Sequence, residues 1–163
     1  MLIAIIADIH DNLVNLNKFL NWSKKNKIKK IICAGDLTNS ETLSVLGKKF
    51  KNSIYLVRGN IELYGEKELK KFKNISYFGK TGRFKLDGQI VGLCHEAHFI
   101  DKVLHSGHCD IIFFGHSHKP ALEEIDEVKL VNPGELGGMW GKATFATWNT
   151  KNNKLELKLL ELI

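Results

Sequence analysis

Apolar positions in this chain fall into two rhythms that alternate along its first half. Residues 2–7 form a short, dense run rich in β-branched side chains, the pattern of a buried strand. Leu13, Leu16, Phe19, Leu20 and Trp22 then recur at helical spacing behind a cap at Asn12 or Asp11. Lys24-Lys25-Asn26-Lys27 follows, where positive charge suits a helix C-terminus. Ile28 and residues 31–34 predict a second strand. Thr38-Asn39-Ser40-Glu41 reads as a capping box opening a helix to about Phe50, with Leu43, Leu46 and Phe50 inward. Residues 54–57 predict a third strand. Strand–helix repetition of this kind implies right-handed crossovers and a parallel sheet.

After about residue 74 the rhythm changes. Residues 75–78 predict a strand, and Asp87-Gly88 between residues 84–86 and 89–93 predicts a hairpin. A helix is expected over about 99–104, stopped near Gly107, then strands over 111–114, 121–125, 128–131, 144–148 and 155–162. Two mixed sheets packed face to face, with helices outside, account for this order.

The polar residues that end these runs carry the chemistry. Asp8-Ile9-His10 follows the first strand, and strand alternation would turn Asp8 and His10 the same way. Gly35-Asp36, Gly59-Asn60, His95 and Gly115-His116-Ser117-His118 end later runs. In parallel sheets, ligands bind beyond the carboxyl ends of the strands. Two carboxylates, an amide oxygen and four imidazoles suit Mn, Fe, Zn or Co rather than Ca. Seven ligands exceed one tetrahedral ion but suit two ions sharing a carboxylate, an arrangement fitted to in-line displacement at phosphorus. Glycine before Asp36, Asn60 and His116 lets the backbone bring each ligand close to a shared centre.

Composition changes this picture little. The 163 residues predict one domain, residues 1–163. No run is long and apolar enough for a membrane span, and the start lacks a basic leader and cleavage site, so a cytoplasmic protein is expected. Cys33, Cys94 and Cys109 lie in or beside apolar runs and read as reduced core thiols. All but Arg58 and Arg83 of the 24 basic residues are Lys, and the net charge is +6. Their clusters read as solvated helix faces and ends. A nucleic-acid partner is left open, although Arg and aromatics are not interleaved as in a single-strand groove.

The set Asp8-x-His10, Gly35-Asp36, Gly59-Asn60, His95 and Gly115-His116-x-His118 resembles the calcineurin-like metallophosphoesterases. The short chain and Asn132-Pro133-Gly134 look like the compact YfcE/MJ0936-type phosphodiesterase branch. The resemblance implies a four-layer αββα sandwich and a binuclear metal centre. One ion would take Asp8, His10, Asp36 and His118, the other Asp36, Asn60, His95 and His116. A hydroxide bridging the ions beside Asp36 would attack phosphorus. Mn²⁺ is the first expectation, with Ni²⁺, Fe, Zn²⁺ and Co²⁺ as alternatives. The implied substrate is a small or nucleotide-like phosphodiester. A homodimer is implied only by the habits of small family members.

The chain departs from the family pattern in places. Asn60-Ile61-Glu62 has Ile61 where relatives carry His or Cys followed by Asp, and Ile61 cannot donate a proton. His98 is then a candidate proton donor, against the plainer reading of a surface loop residue. Glu96 and Glu135 stand where relatives have Gly and Ser, each free to ligate, narrow the pocket or point outward. Arg58 could touch substrate phosphate or pair with Glu62. His105 and His108 read as helix-end or solvent residues, and Trp22, Trp140 and Trp148 as core or interface. Met139-Trp140 could instead line the pocket mouth. Catalytic roles are expected for Asp36, Asn60 and His98. The competing reading is a non-catalytic scaffold similar to Vps29, which should have lost ligands. A phosphomonoesterase or nuclease would share the chemistry.

Overall fold

Alternation along the buried strands divides their side chains between three apolar layers, and the layers set the architecture. In the computed structural model, which describes residues 1–163, the elements run β1 (Leu2–Ile6), α1 (Leu13–Lys25), β2 (Lys30–Cys33), α2 (Ser40–Lys49), β3 (Ser53–Leu56), α3 (Glu66–Leu69) and β4 (Ile75–Tyr77). They continue with β5 (Thr81–Leu86), β6 (Gln89–Cys94), α4 (Ile100–His105), β7 (Ile111–Phe113), β8 (Ala121–Ile125), β9 (Val128–Asn132), β10 (Thr144–Asn149) and β11 (Lys154–Leu159). The first sheet has the order β11-β10-β1-β2-β3-β4, with β1 to β4 mutually parallel. The second is β5-β6-β7-β9-β8, with β6, β7 and β9 parallel and antiparallel strands at both edges.

Ala4, Ile6, Ile31, Cys33, Ile54 and Leu56 face α1 and α2, where Leu16, Phe19, Leu43 and Leu46 meet them. Their neighbours along the chain, Ile3, Ile5, Ile32 and Ala34, face the second sheet and pack on Val91, Leu93, Ile111, Phe113 and Val131. On the far side, Cys94 and Ile112 lie under Val103 of α4. The period-2 pleat produces this partition, because successive side chains leave a strand on opposite faces. The result is the four-layer αββα sandwich. Cys33, Cys94 and Cys109 are buried and unbridged.

Several local expectations are corrected. The helix at 40–49 is capped by Asn39, whose side chain accepts from the N–H groups of Glu41 and Thr42, rather than by a Thr38–Glu41 box. The last strand ends at Leu159, and residues 160–162 form a 3₁₀ turn that returns Leu160 to the core. The first hairpin strand starts at Thr81, and α3 is an unanticipated single turn. Most consequentially, β1 stops at Ile6. Asp8, His10 and Asp11 have φ of 54°, 47° and 58°, so strand alternation does not orient Asp8 and His10.

Candidate metal centre

The parallel strands of both sheets deliver their C-terminal loops to one place. The loop after β1 carries Asp8 and His10, that after β2 Asp36, and that after β3 Asn60. From the second sheet come His95 after β6, and His116 and His118 after β7. Backbone hydrogen bonds continue past the strand ends and brace the loops. Asp8 N–H donates to Gly35 at 3.0 Å, Ile9 and His10 N–H donate to Asp36 at 2.8 and 3.1 Å, and Gly115 N–H donates to His95 at 2.9 Å.

These loops are strained. Asp8, His10, Asp36, His116 and His118 all have positive φ, between 47° and 68°. That conformation costs a non-glycine residue about 1–3 kcal/mol, and surrounding bonds must hold it. Gly59 is required for a different reason: a Cβ there would sit 1.9 Å from Asp36 Oδ1.

Two donor clusters result. Asp8, His10 and His118 offer ligand atoms within 4.8 Å of one another, and so do Asp36, His95 and His116. In the first, Asp8 Oδ1 lies 3.6 Å from His10 Nε2 and 3.4 Å from His118 Nε2. The two Nε2 atoms are 3.3 Å apart, with the rings stacked. Asp8 is fully buried, and Oδ1 has no hydrogen-bond partner, while Oδ2 accepts the His116 N–H at 3.0 Å. An unpartnered buried carboxylate oxygen beside two imidazole nitrogens is costly unless a cation shares the space. The donor set therefore fits a divalent ion. The Asp8 carboxylate beside His10 holds that ring's pKa above its ordinary value, against the opposing effect of burial.

In the second cluster, Asn60 Oδ1 lies 2.8 Å from His95 Nε2 and 3.0 Å from His116 Nδ1, and Asp36 Oδ2 lies 3.2 Å from His95 Nε2. His95 Nδ1 donates to the Ala34 carbonyl at 2.7 Å. Burial works hardest on His95 and would lower its pKa, but the bond to Asp36 and that carboxylate's charge prevail and raise it. Reciprocally, burial opposes ionisation of Asp36, but the His95 hydrogen bond and charge and the Ile61 N–H hold its pKa down. The cluster is built around positive charge, and a metal ion supplies it as well as a proton does.

The residues that hold these ligands were largely missed in the sequence. Buried Glu135 accepts the His118 Nδ1 hydrogen at 2.9 Å and also the N–H groups of Met139 and Trp140. With Nδ1 protonated, His118 Nε2 is the free donor. Buried Glu62 accepts from Leu37 and Thr38 N–H at 3.1 and 2.9 Å and, more weakly, from Gly59 N–H at 3.4 Å, tying the Asp36 loop to the Asn60 loop. Arg58 bonds the main-chain carbonyl of Glu62 rather than its carboxylate. Asn132 donates to the Gly115 carbonyl and to Ser117 Oγ, pinning the loop of His116 and His118. Of Glu135, Glu62 and Asn132, only Asn132 carries the signal that marked the ligands, a polar residue closing an apolar run.

His98 lies on an exposed 3₁₀ turn, its Nδ1 3.6 Å from Glu96 Oε2 and its ring against Phe99. His105 bonds the Asp101 carbonyl and His108 the Asp110 carboxylate, both at the surface. Trp148 is a core residue, whereas Trp140 is exposed beside His118. No helix is long and apolar enough to cross a membrane.

The chain is similar to known proteins over most of its length. The phosphodiesterase MJ0936 of Methanocaldococcus jannaschii is 29% identical over 99% of this chain and 100% of its own length. The vacuolar protein sorting-associated protein 29 of Schizosaccharomyces pombe is 30% identical over 85% of this chain and 73% of its own. Among solved structures, a novel archaeal phosphodiesterase superposes with a TM-score of 0.87 at 22% identity, covering 98% of this chain and 99% of the other. The model of the calcineurin-like phosphoesterase superfamily domain matches residues 1–153, and the chain belongs to that superfamily.

Proposed function

We propose that this protein is a divalent-metal-dependent phosphodiesterase acting on a small or nucleotide-like phosphodiester in the cytoplasm, through one domain spanning residues 1–163. The observation that carries the reading is the pair of adjoining donor clusters, with Asp8 Oδ1 buried and unpartnered between two imidazoles. Asp8, His10, Asp36 and His118 would hold one ion. Asp36, Asn60, His95 and His116 would hold the other, with Asp36 shared. Mn²⁺ is the first choice for both. When bound, two such ions supply an activated water nucleophile and positive charge for the phosphoryl oxygens.

The chain's own groups do the rest. His95 and His118 are held in the tautomer that presents Nε2, which removes their rotational freedom before substrate arrives. Ile61 offers no proton to the leaving oxygen, so that proton comes from solvent or from His98. Loss of a general acid costs roughly 10²–10⁴-fold, and least for good leaving groups. Activated esters are therefore the better substrates. Asp36 and Asn60 act by orienting charge around the phosphoryl group.

A Vps29-like scaffold is the second reading, favoured by the Vps29 relative and by Ile61. The complete ligand set weighs against it. The test is hydrolysis of bis(p-nitrophenyl) phosphate and of the monoester by chelated protein, with and without Mn²⁺, beside Asp36→Asn. Metal-restored diester hydrolysis that vanishes in the variant supports the phosphodiesterase. Absence of both activity and bound metal supports the scaffold.

A further inference from the structure

Beside the His118 cluster lies a cleft of about 650 Å³, lined by His116, His118, Lys119, Trp140 and Lys142 among others. Its size is that of a small-molecule site. Trp140 is 78% exposed, and its neighbour Met139 is 56% exposed. Displaying both to water leaves a large apolar surface unburied. The segment carrying them is nevertheless held in place. The Trp140 N–H donates to Glu135 Oε1 at 2.8 Å, and the Met139 N–H donates to Glu135 Oε2 at 2.9 Å. The same Oε2 receives the His118 Nδ1 hydrogen. One buried carboxylate thus fixes a ligand imidazole and the base of an exposed indole together. The indole lies 6.3 Å from the His118 ring, centroid to centroid, at a near-perpendicular 78°.

A flat aromatic face set beside a phosphate-processing centre stacks a planar base. Lys119, which makes no ion pair, adds positive charge to the same cleft, whereas Lys142 is engaged by Glu161.

We propose that Trp140 is a specificity-determining residue that stacks the nucleobase of a nucleoside phosphodiester. The inference rests on the phosphodiesterase reading for the identity of the reaction, but the base-binding site is measurable without turnover.

Two measurements test it. In the first, AMP and ribose 5-phosphate are titrated against tryptophan fluorescence in chelator and with Mg²⁺. Saturable quenching by AMP alone, absent from Trp140→Phe, is expected, because Trp148 is buried and Trp22 lies on α1. In the second, thymidine 5′-(p-nitrophenyl) phosphate is compared with methyl p-nitrophenyl phosphate, which shares its leaving group. Wild-type protein is expected to show the lower KM for the nucleoside ester. Trp140→Ala should erase that preference by about ten-fold, the scale of one stacked base, through KM rather than kcat, and Trp140→Phe should keep most of it. No quenching by AMP, quenching that survives in Trp140→Phe, or a preference unchanged in Trp140→Ala would overturn the proposal. Hydrolysis of neither ester with the quenching intact would remove the phosphodiesterase reading and leave the base site standing.

Discussion

The Glu135 carboxylate accepts the Nδ1 hydrogen of His118 at 2.9 Å, from a position that is itself 1% exposed. Burial opposes its ionisation, but the His118 bond and the Trp140 and Met139 N–H groups keep its pKa below the ordinary value. Carboxylates placed behind a ligand imidazole typically govern metal affinity by 10–100-fold. Glu135→Ala is therefore expected to weaken binding at the His118 cluster by about that factor, measured by competition with a chelator of known affinity. Unchanged affinity would show that His118 is oriented by something else.

Asp36→Asn tests the carboxylate proposed to be shared. Removing its charge leaves His95 without its main electrostatic partner and, on the two-ion reading, weakens a ligand common to both ions. Metal stoichiometry, measured by elemental analysis after dialysis, should fall below that of the wild type, and phosphodiester hydrolysis should vanish. Wild-type turnover in this variant would exclude the two-ion assignment.

Gly59→Ala tests the close approach of two loops. Its Cβ would fall 1.9 Å from Asp36 Oδ1 and 2.4 Å from the Asp36 backbone nitrogen, so the loops after β2 and β3 must separate. Overpacking of this kind costs about 1–3 kcal/mol. Urea unfolding should register that loss, accompanied by weaker metal binding.

Glu62→Ala removes the acceptor shared by Leu37, Thr38 and Gly59. Each buried donor left unpaired costs about 1–3 kcal/mol. Denaturation midpoints should drop, with metal affinity falling in parallel because the Asp36 and Asn60 loops lose their tie. A stable variant with normal metal binding would make Glu62 a bystander.

Acid should compete with metal. The pKa of His10 is raised, first by the Asp8 carboxylate beside it; that of His95 is raised because Asp36 outweighs the downward pull of burial. Raised values mean that both rings hold protons to a pH above 6.5 in the metal-free fold, and coordination requires their release. Apparent affinity should therefore climb as pH rises through and above 6.5. Calorimetry in two buffers of different ionisation enthalpy should count the released protons. A flat profile from pH 6 to 8 would contradict the assignment of these two rings as ligands.

Most of the longer elements and the seven clustered side chains were legible from local rules, whereas the single turn α3 and the 3₁₀ turn at 160–162 were not. Apolar runs at period 2 or 3.6 mark buried faces, and Asp8, Asp36, Asn60, His95 and His116 each follow such a run. The partition of Ile3 and Ile5 from Ala4 and Ile6 is likewise implied by the pleat. The orientation of Asp8 and His10 was not legible, because a left-handed φ arises from what the neighbouring loops impose and no residue pattern announces it. Glu62 and Glu135 were ambiguous for a related reason: a carboxylate reads the same in sequence whether it meets water or three buried N–H groups.

Sequence by itself determined the strand and helix rhythm, the parallel direction of the early strands and the chemical inventory of the centre, because these depend on periodicity and residue type over short spans. Tertiary structure alone decided which donors meet as two clusters, which carboxylates hold loops and ligand rings in place, and that Trp140 stands exposed beside His118. Those outcomes depend on backbone approaches between segments as distant as Asp8 and His116 or Leu37 and Glu62, and such approaches are set by the packing of two sheets, not by any one stretch of chain.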